Sequence, residues 1–446
     1  QNEVEKVETD VGFGEIDLNS ADPDNSNKNE SPKTIGSEDE ISNGENTKNA
    51  EVFWEEHEEW SMNVLSKPLT VTIKDPMQAE RSFTNPNPPV MYLVVAEPLG
   101  TKVRRRYSDF EWLKDIMQSR YVGMMVPPLP EKKVGATQKF VQSRMRGLNM
   151  FMARLLENPY LKTDSAILLF LKANDLDQWE QGKKEEETPN TSKRNEGQYR
   201  WMQALTNYTL PKQADRLVAD ISSQIESLEC VMRALLHSCS SLVANAYAYA
   251  ASLADFKMRY QEVVKAEASS TDTTQVEYAN KSDSQLLKVL QTMGDTFTRW
   301  SDIQTGEPRI IERLLQEILR YEHGCILKLK ELLKLRRDVI RCHEKALETK
   351  IKHDREKATL ENTGRMDKAL RMDYKLKEDR ERVQITYDHA LYMTKGLFFS
   401  EINRFSTRKV QALNEMMGTL SAAFVEHNKA VQEVWDNSIK SLHSRR

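Results

Sequence analysis

The second half of this 446-residue chain is almost free of proline, and that constrains its fold more than any other feature. Of 15 prolines, only Pro211 and Pro308 follow residue 195. Because proline removes a backbone donor and clashes with the preceding turn, its absence leaves long helices uninterrupted. Apolar residues spaced three and four apart form a single stripe over 217–235. The pattern predicts helices over about 212–267, 277–303, 309–361 and 365–442.

Helices of this length do not build a compact core. At 1.5 Å per residue the longer ones extend roughly 80–115 Å. One chain alone would leave part of its apolar stripes in water. The sequence therefore predicts an elongated antiparallel coiled coil over 212–446 that dimerises, and both a homodimer and a heterodimer fit.

The start of the chain has a different composition. Residues 1–60 contain 18 acidic and 4 basic side chains, so the rest of the chain carries a net charge of +10. Few large apolar residues are available there to offset the entropy of ordering, which predicts a disordered acidic tail. Its last aromatic residues, Phe53, Trp54 and Trp60, suit either a docking motif or a strap that packs on the next domain.

Between these parts, residues 64–176 alternate in a mixed pattern. Strands are predicted at 69–73, 91–95 and 102–107. Helices are predicted at 109–117, 139–157 and 165–172. Strands followed by helices indicate an α+β domain with a three-stranded antiparallel sheet. A linker over 177–211 follows, with a polar stretch at 182–197.

Three short segments of this domain supply cations and aromatic rings in a fixed order. They are Arg-Arg-Tyr-Ser-Asp-Phe at 105–110, Pro-Pro-Leu-Pro-Glu-Lys at 127–132 and Phe-Val-Gln-Ser-Arg at 140–144. A guanidinium donates two hydrogen bonds to one phosphate and stays charged at any physiological pH. Each segment alone is common, as a charged strand end or a proline-rich turn. Together, with strands before and a helix after, they resemble the lipid-binding part of a phox-homology (PX) domain.

This resemblance implies a site for phosphatidylinositol 3-phosphate. It implies that Arg106 binds the 3-phosphate and that the Tyr107 ring lies beneath the inositol. Lys132 would contact the 1-phosphate, and Arg144 the 4- and 5-hydroxyls. Glu131 departs from the family, which usually has glycine before the lysine, and its carboxylate should weaken the local positive potential.

A PX-like domain followed by long helices resembles the PX-BAR sorting nexins. The resemblance implies that 212–446 is a BAR-like domain whose basic concave face and tips contact curved membrane. Six cations at matching helical positions form a basic surface there: Arg337, Arg341, Lys345, Lys352, Arg371 and Lys375. Each cation near an anionic leaflet contributes about 1 kcal/mol. A solvated coiled-coil face is the alternative, with pairs such as Glu348 with Lys352 and Asp379 with Arg382.

Two apolar segments fit two interpretations each. Residues 121–126, just before the prolines, suit either insertion into a bilayer or internal packing. Residues 199–209, which include Trp201, suit either an amphipathic wedge helix or a segment docked on the bundle.

Several function classes lack their sequence signatures. The chain contains no P-loop, no HExxH, no GxSxG and no kinase motif set, so neither an enzyme nor a cofactor is expected. The cysteines lack metal-ligand spacing, which predicts reduced, buried thiols. These are Cys230, Cys239, Cys325 and Cys342. Basic residues are interleaved with acids, and the acidic tail opposes binding to nucleic acid.

These observations predict a peripheral membrane protein of the cytoplasm. It would bind phosphatidylinositol 3-phosphate and sense or shape curved endosomal membrane in cargo sorting and vesicle-mediated protein transport. Sorting-complex proteins would be its partners. The alternative is a coiled-coil adaptor whose PX-like domain binds protein instead of lipid.

Overall fold

The computed structural model describes residues 68–78, 88–132, 137–187, 201, 203–273 and 281–443, and all that follows concerns these residues. The predicted acidic tail and its aromatic strap lie outside the described residues.

A three-stranded antiparallel sheet opens the described part, as predicted. Its strands are β1 (Thr70–Gln78), β2 (Val90–Glu97) and β3 (Thr101–Arg106), in the order β1-β2-β3. Alternate residues of β2, Tyr92 and Val94, are buried, as the two-residue period of a strand requires. The sheet brings the end of β3 to the edge of the core, where the first helix starts.

Four helices complete the α+β part. They are α1 (Tyr107–Arg120), α2 (Gln138–Leu156), α3 (Ser165–Lys172) and α4 (Leu176–Glu187). Phe110, Phe151 and Phe170 are fully buried between the helices and the sheet. The helices predicted at 139–157 and 165–172 agree with α2 and α3 to within one residue. The α+β prediction is confirmed.

Helix α4 was not predicted. Residues 182–187, assigned to a polar linker, are its last residues. Trp179 anchors the helix: it is buried and packs edge-on against Trp112 at 5.1 Å. Gly182 allows close approach, since a Cβ there would collide with Leu169. A single buried aromatic thus holds a helix whose average composition is polar.

The described residues of the helical part form eight segments. They are α5 (Ala214–Thr273), α6 (Lys281–Gln304), α7 (Glu307–Ile311), a π-helical turn (Glu312–Gln316), α8 (Glu317–Asn362), α9 (Met366–Gly396), and, after a second π-helical turn (Leu397–Glu401), α10 (Ile402–His443). The first long helix was predicted to end at about residue 267, which is too early, because α5 continues to Thr273. The predicted break at 362–364 is present, and Gly364 adopts φ +70° there.

These segments form three long antiparallel runs. The first is α5, the second extends from α6 to α8, and the third extends from α9 to α10. Lys257 of α5 bonds to Asp302 at 2.7 Å, and further along Tyr247 bonds to Glu312 at 3.0 Å. The second run therefore continues in the same direction along α5 on both sides of residues 305–306. The predicted break there is a short interruption of the helix and not a reversal of the chain. The architecture is the predicted elongated antiparallel bundle.

All four cysteines are free. Cys239 and Cys325 are buried, as predicted. Cys230 and Cys342 are exposed, so the prediction of buried thiols is wrong for these two. Both lie on outward-facing positions of long helices, which sequence spacing alone did not distinguish.

No helix in the described ranges is long and apolar enough to cross a membrane. Within the same ranges, no group of three or more histidine, cysteine, aspartate or glutamate residues is placed to hold a metal ion.

Candidate functional site

Arg106 lies where β3 ends and α1 begins. Its backbone N–H donates a hydrogen bond to Asp109 Oδ2 at 2.9 Å, which caps the first turn of α1. The Arg106 Nε lies 3.5 Å from Asp109 Oδ1, and the side chain is 46% exposed. The junction therefore fixes the backbone of Arg106 while its guanidinium remains accessible to a ligand.

Tyr107 joins this junction to the proline-rich segment. Its hydroxyl donates a hydrogen bond to the carbonyl oxygen of Pro130 at 2.6 Å. Burial raises the pKa of Tyr107 to about 12, so the phenol is neutral at physiological pH. The bond holds the segment that bears Lys132 against the start of α1.

Arg144 reaches the same place from α2. Its guanidinium stacks 4.6 Å from the centre of the Tyr107 ring and 4.3 Å from that of Phe140. Such cation–π contacts orient the guanidinium over the two ring faces. Thr137 caps the start of α2 by accepting a hydrogen bond from the Phe140 N–H, and so positions this ring. Tyr107 acts here as a platform for Arg144.

Lys132 is the most exposed member of the group, at 71%. Its Nζ lies 2.9 Å from Glu111 Oε2, one turn beyond Tyr107 on α1. A surface pair of this kind contributes about 1 kcal/mol or less, so a phosphate can replace the carboxylate. Glu111 is a residue of the site that the motifs did not single out.

The structure therefore brings Arg106, Tyr107, Lys132 and Arg144 to one edge of the α+β part. We call these four residues the headgroup cluster. The neighbouring Arg105 is not part of it: its Nε donates to the carbonyl oxygen of Phe170 at 3.0 Å. Burial lowers the pKa of Arg105 to about 10. Arg105 is therefore a structural residue, whereas the neighbouring Arg106 side chain is 46% exposed.

The six residues of the basic surface are all exposed. Arg336 contacts Asp215 at the start of α5, and Arg337 bonds to Ser222 of α5 at 3.3 Å. Beyond the start of α5, helix α8 continues beside α9 as a protruding two-helix hairpin. Lys345, Lys352, Arg371 and Lys375 lie on this hairpin. The basic surface therefore extends past the end of the three-helix bundle.

One predicted charge pair along this hairpin is wrong. Asp379 is buried, and its Oδ2 lies 2.6 Å from Nδ1 of His353, so it faces α8 and does not pair with Arg382. Lys357 and Asp373 form a second bridge between the two helices at 2.6 Å. Asp379, which was expected to pair with a surface cation, therefore bonds inside the hairpin instead.

The two ambiguous apolar segments pack internally. Tyr121, Met124 and Val126 are buried in the core, so of the two interpretations of 121–126 the structure supports internal packing. Trp201 is 2% exposed. Its ring lies against Gly123 and Gly396, where a Cβ would collide with it.

The residues after Trp201 are docked as well. Lys395 Nζ donates hydrogen bonds to the carbonyl oxygens of Leu205 and Thr206, at 3.1 and 3.2 Å. The Tyr208 ring packs 4.9 Å from that of Phe399. Of the two interpretations of 199–209, the described residues support docking on the bundle.

Replacing Trp201 with alanine is expected to lower the free energy of unfolding by about 3–5 kcal/mol, because it leaves a large cavity between the two parts of the chain. Chemical denaturation monitored by circular dichroism measures this change. Leu176→Ala, at an exposed position of α4, is the control and should change stability little. Equal stability of Trp201→Ala and the wild type would contradict the docked arrangement.

Ion pairs fix the α+β part on the helical part. Arg146 makes two hydrogen bonds of 2.7 Å with Glu317, and Arg154 bonds to Glu322 at 3.1 Å. Lys139 lies 2.7 Å from Glu312 of the first π-helical turn. The second π-helical turn also takes part, since Glu401 accepts the Met125 N–H at 3.1 Å. The headgroup cluster is therefore held in a defined position relative to the basic surface.

Comparisons with known proteins agree with this architecture. The family model of the PX domain matches residues 97–174. Sorting nexin MVP1 of Saccharomyces cerevisiae is 42% identical over 81 residues, which are 17% of this chain and 16% of that protein. Sorting nexin MVP1 of Cryptococcus neoformans is 36% identical over 77 residues, which are 17% of this chain and 13% of that protein. The chain thus matches less than a fifth of the length of either relative.

A solved structure has the same fold over most of the chain. It is described as the cryo-EM structure of the SNX-BAR Mvp1 tetramer, with a TM-score of 0.60 and 17% sequence identity. The match covers 83% of this chain and 99% of that one. A PX domain joined to a three-run helical bundle defines the class of PX-BAR proteins. The chain contains a PX domain and, over most of its length, has the fold of this SNX-BAR structure.

Proposed function

We propose that the chain binds phosphatidylinositol 3-phosphate through the headgroup cluster. The observation that carries the proposal is the stacking of Arg144 on Tyr107, whose hydroxyl in turn holds the segment that bears Lys132. Three cations thus converge beside a neutral aromatic ring, and Arg106 and Lys132 are paired with single exchangeable carboxylates. Phosphates of one headgroup can replace both carboxylates and form charge-assisted hydrogen bonds.

The test is co-sedimentation of the whole chain with vesicles that contain phosphatidylinositol 3-phosphate. Matched vesicles contain phosphatidylinositol with extra phosphatidylserine, so that the surface charge stays constant. Binding that requires the 3-phosphate supports the proposal. Equal binding to both kinds of vesicle would mean that the basic surface responds only to membrane charge. Binding to neither would favour the alternative in which the PX domain binds protein.

We further propose that the helical part associates with a second copy or a related chain. Helix α5 bears large apolar side chains at every seventh position, all about half exposed: Leu235, Leu242, Tyr249, Phe256 and Val263. A sustained seven-residue repeat favours association between long helices. The tetramer named for the related solved structure is consistent with such association. An assembly would present several headgroup clusters at once, which raises the apparent affinity for membrane.

In the cell, we propose a peripheral protein of endosomal membranes that shapes or senses curvature during cargo sorting and protein transport. The sorting nexins among the relatives support this assignment, and the extended basic surface supports contact with anionic lipid. No enzyme family is indicated by the comparisons described above, and we propose a non-catalytic role. The partners would be a lipid membrane and sorting-complex proteins.

Replacing Glu111 with glutamine is expected to strengthen binding to phosphatidylinositol 3-phosphate vesicles by about two- to fivefold, since Lys132 no longer has to leave a carboxylate. Asp115→Asn is the matched control: Asp115 is exposed on the same helix and pairs with Lys114 at 3.0 Å. Co-sedimentation measures both variants. A similar gain for both would indicate a general charge effect, not competition at Lys132.

A further inference from the structure

The end of the α8–α9 hairpin carries an exposed apolar row. Met366, Leu370 and Tyr374 lie four residues apart on α9, and they are 60%, 67% and 69% exposed. This spacing places the three side chains next to one another on one face of the helix. Exposed apolar side chains that form a contiguous patch often mark an interaction surface.

The row is not required for the hairpin to form. A different face of α9 supplies Ala369, Met372 and Leu376, which are buried. The turn at Gly364 ends the hairpin, and α5 starts far back at the level of Arg336. Among the described residues, the helix therefore has one apolar face for folding and a second that points to solvent.

The charges around the row favour an anionic partner. From Arg365 to Lys377 the chain carries five cations and two aspartates: Arg365, Lys368, Arg371, Lys375 and Lys377 against Asp367 and Asp373. Asp373 is already bridged to Lys357 at 2.6 Å. Two of the cations belong to the basic surface, so the apolar row and that surface are continuous.

We infer that the hairpin end inserts Met366, Leu370 and Tyr374 into the interfacial layer of an anionic bilayer, while Arg371 and Lys375 contact lipid phosphates. The inference rests on the proposed membrane function and adds an apolar anchor to the basic surface. A bilayer fits because its interface accepts apolar side chains beside anionic headgroups. Tyrosine suits the interfacial layer of a bilayer, since its ring is apolar and its hydroxyl stays hydrated.

The test compares two charge-neutral double variants. Leu370→Ser with Tyr374→Ser is expected to weaken binding to vesicles of phosphatidylcholine, phosphatidylserine and phosphatidylinositol 3-phosphate by about tenfold or more. Val410→Ser with Met417→Ser, at half-exposed positions of α10, should bind as the wild type does. Circular dichroism melting confirms that both variants fold.

A fluorescent label measures insertion directly. Met366→Cys carries an NBD group in a chain whose exposed Cys230 and Cys342 are replaced by serine. We expect its emission to rise on vesicle binding and to be quenched by spin-labelled lipids. The inference is overturned if the label stays unquenched on bound protein and the double variant Leu370→Ser/Tyr374→Ser binds as the wild type does. The proposed function would remain intact in that case.

Two other outcomes also overturn it. Failure of the wild type to bind any of these vesicles would refute the proposed function together with the inference. A smaller assembly for Leu370→Ser with Tyr374→Ser in the absence of lipid, measured by light scattering, would assign the row to a contact between copies of the chain.

Discussion

Replacing Arg106 with alanine is expected to weaken binding to phosphatidylinositol 3-phosphate vesicles by about 100-fold, because two charge-assisted hydrogen bonds to one phosphate are lost. The fold should be unaffected. The backbone N–H of Arg106, which bonds to Asp109 at the start of α1, is retained in alanine. Co-sedimentation over a range of lipid concentrations gives the ratio of affinities, and the melting temperature reports on the fold.

Arg104→Ala is the matched control for this variant. It removes the same charge two residues away, where Arg104 Nη1 donates to the carbonyl oxygen of Asp75 at 3.0 Å. We expect its binding to change by less than about threefold, as for a cation outside the contact. Equal losses for Arg104→Ala and Arg106→Ala would mean that total charge, and not the 3-phosphate, determines binding.

Replacing Leu242 with aspartate is expected to convert the associated protein into a monomer. The substitution places a carboxylate in the middle of the seven-residue repeat on α5, where an apolar contact between chains would bury it at a cost of several kcal/mol. Vesicle binding should fall about 100-fold as well, since a monomer engages one headgroup at a time. Light scattering measures the mass, and co-sedimentation measures the binding.

The opposite side of the same helix offers a control for this second variant. Met258 is 49% exposed and Leu242 is 48% exposed, but Met258 lies outside the repeat. Met258→Asp should leave both mass and binding unchanged. Association that survives Leu242→Asp would place the contact between chains on another helix.

The repeating patterns of the sequence predicted the main architecture of the fold but not helix α4. Alternating apolar residues predicted the three strands, and stripes at steps of three and four predicted the long helices. The ends of the long helices were less predictable, because a helix can continue through residues of low helix propensity. Ser269 shows why: its hydroxyl donates to the carbonyl oxygen of Lys265, so this serine stays inside α5.

The motifs named the four residues of the headgroup cluster but not the residues that contact them. Four positions predicted from three segments lie together, since Tyr107 contacts both other segments. Glu111 and the structural role of Arg105 depend on contacts between distant parts of the chain, which no local pattern contains. The same is true of Arg146 and Arg154: they lie on one side of α2, but their glutamate partners are about 170 residues away.

The ion pairs between the two parts have a consequence for membrane binding. Arg144 and Arg146 are two residues apart on α2, so they point to different sides of the helix. Arg144 belongs to the headgroup cluster, and Arg146 bonds to Glu317 of α8. If the headgroup cluster binds lipid as proposed, one helix carries both a ligand contact and an anchor to the bundle, and a bound headgroup would orient the basic surface.

Calorimetric titration with a soluble short-chain phosphatidylinositol 3-phosphate is the decisive measurement of headgroup binding, because it removes both avidity and general attraction to a charged surface. We expect saturable binding of one lipid per chain that is lost in Arg106→Ala. We also expect much weaker binding of the 4-phosphate and 5-phosphate isomers. Equal binding of the three isomers, or binding that persists in Arg106→Ala, would show that Arg106 does not recognise the 3-phosphate.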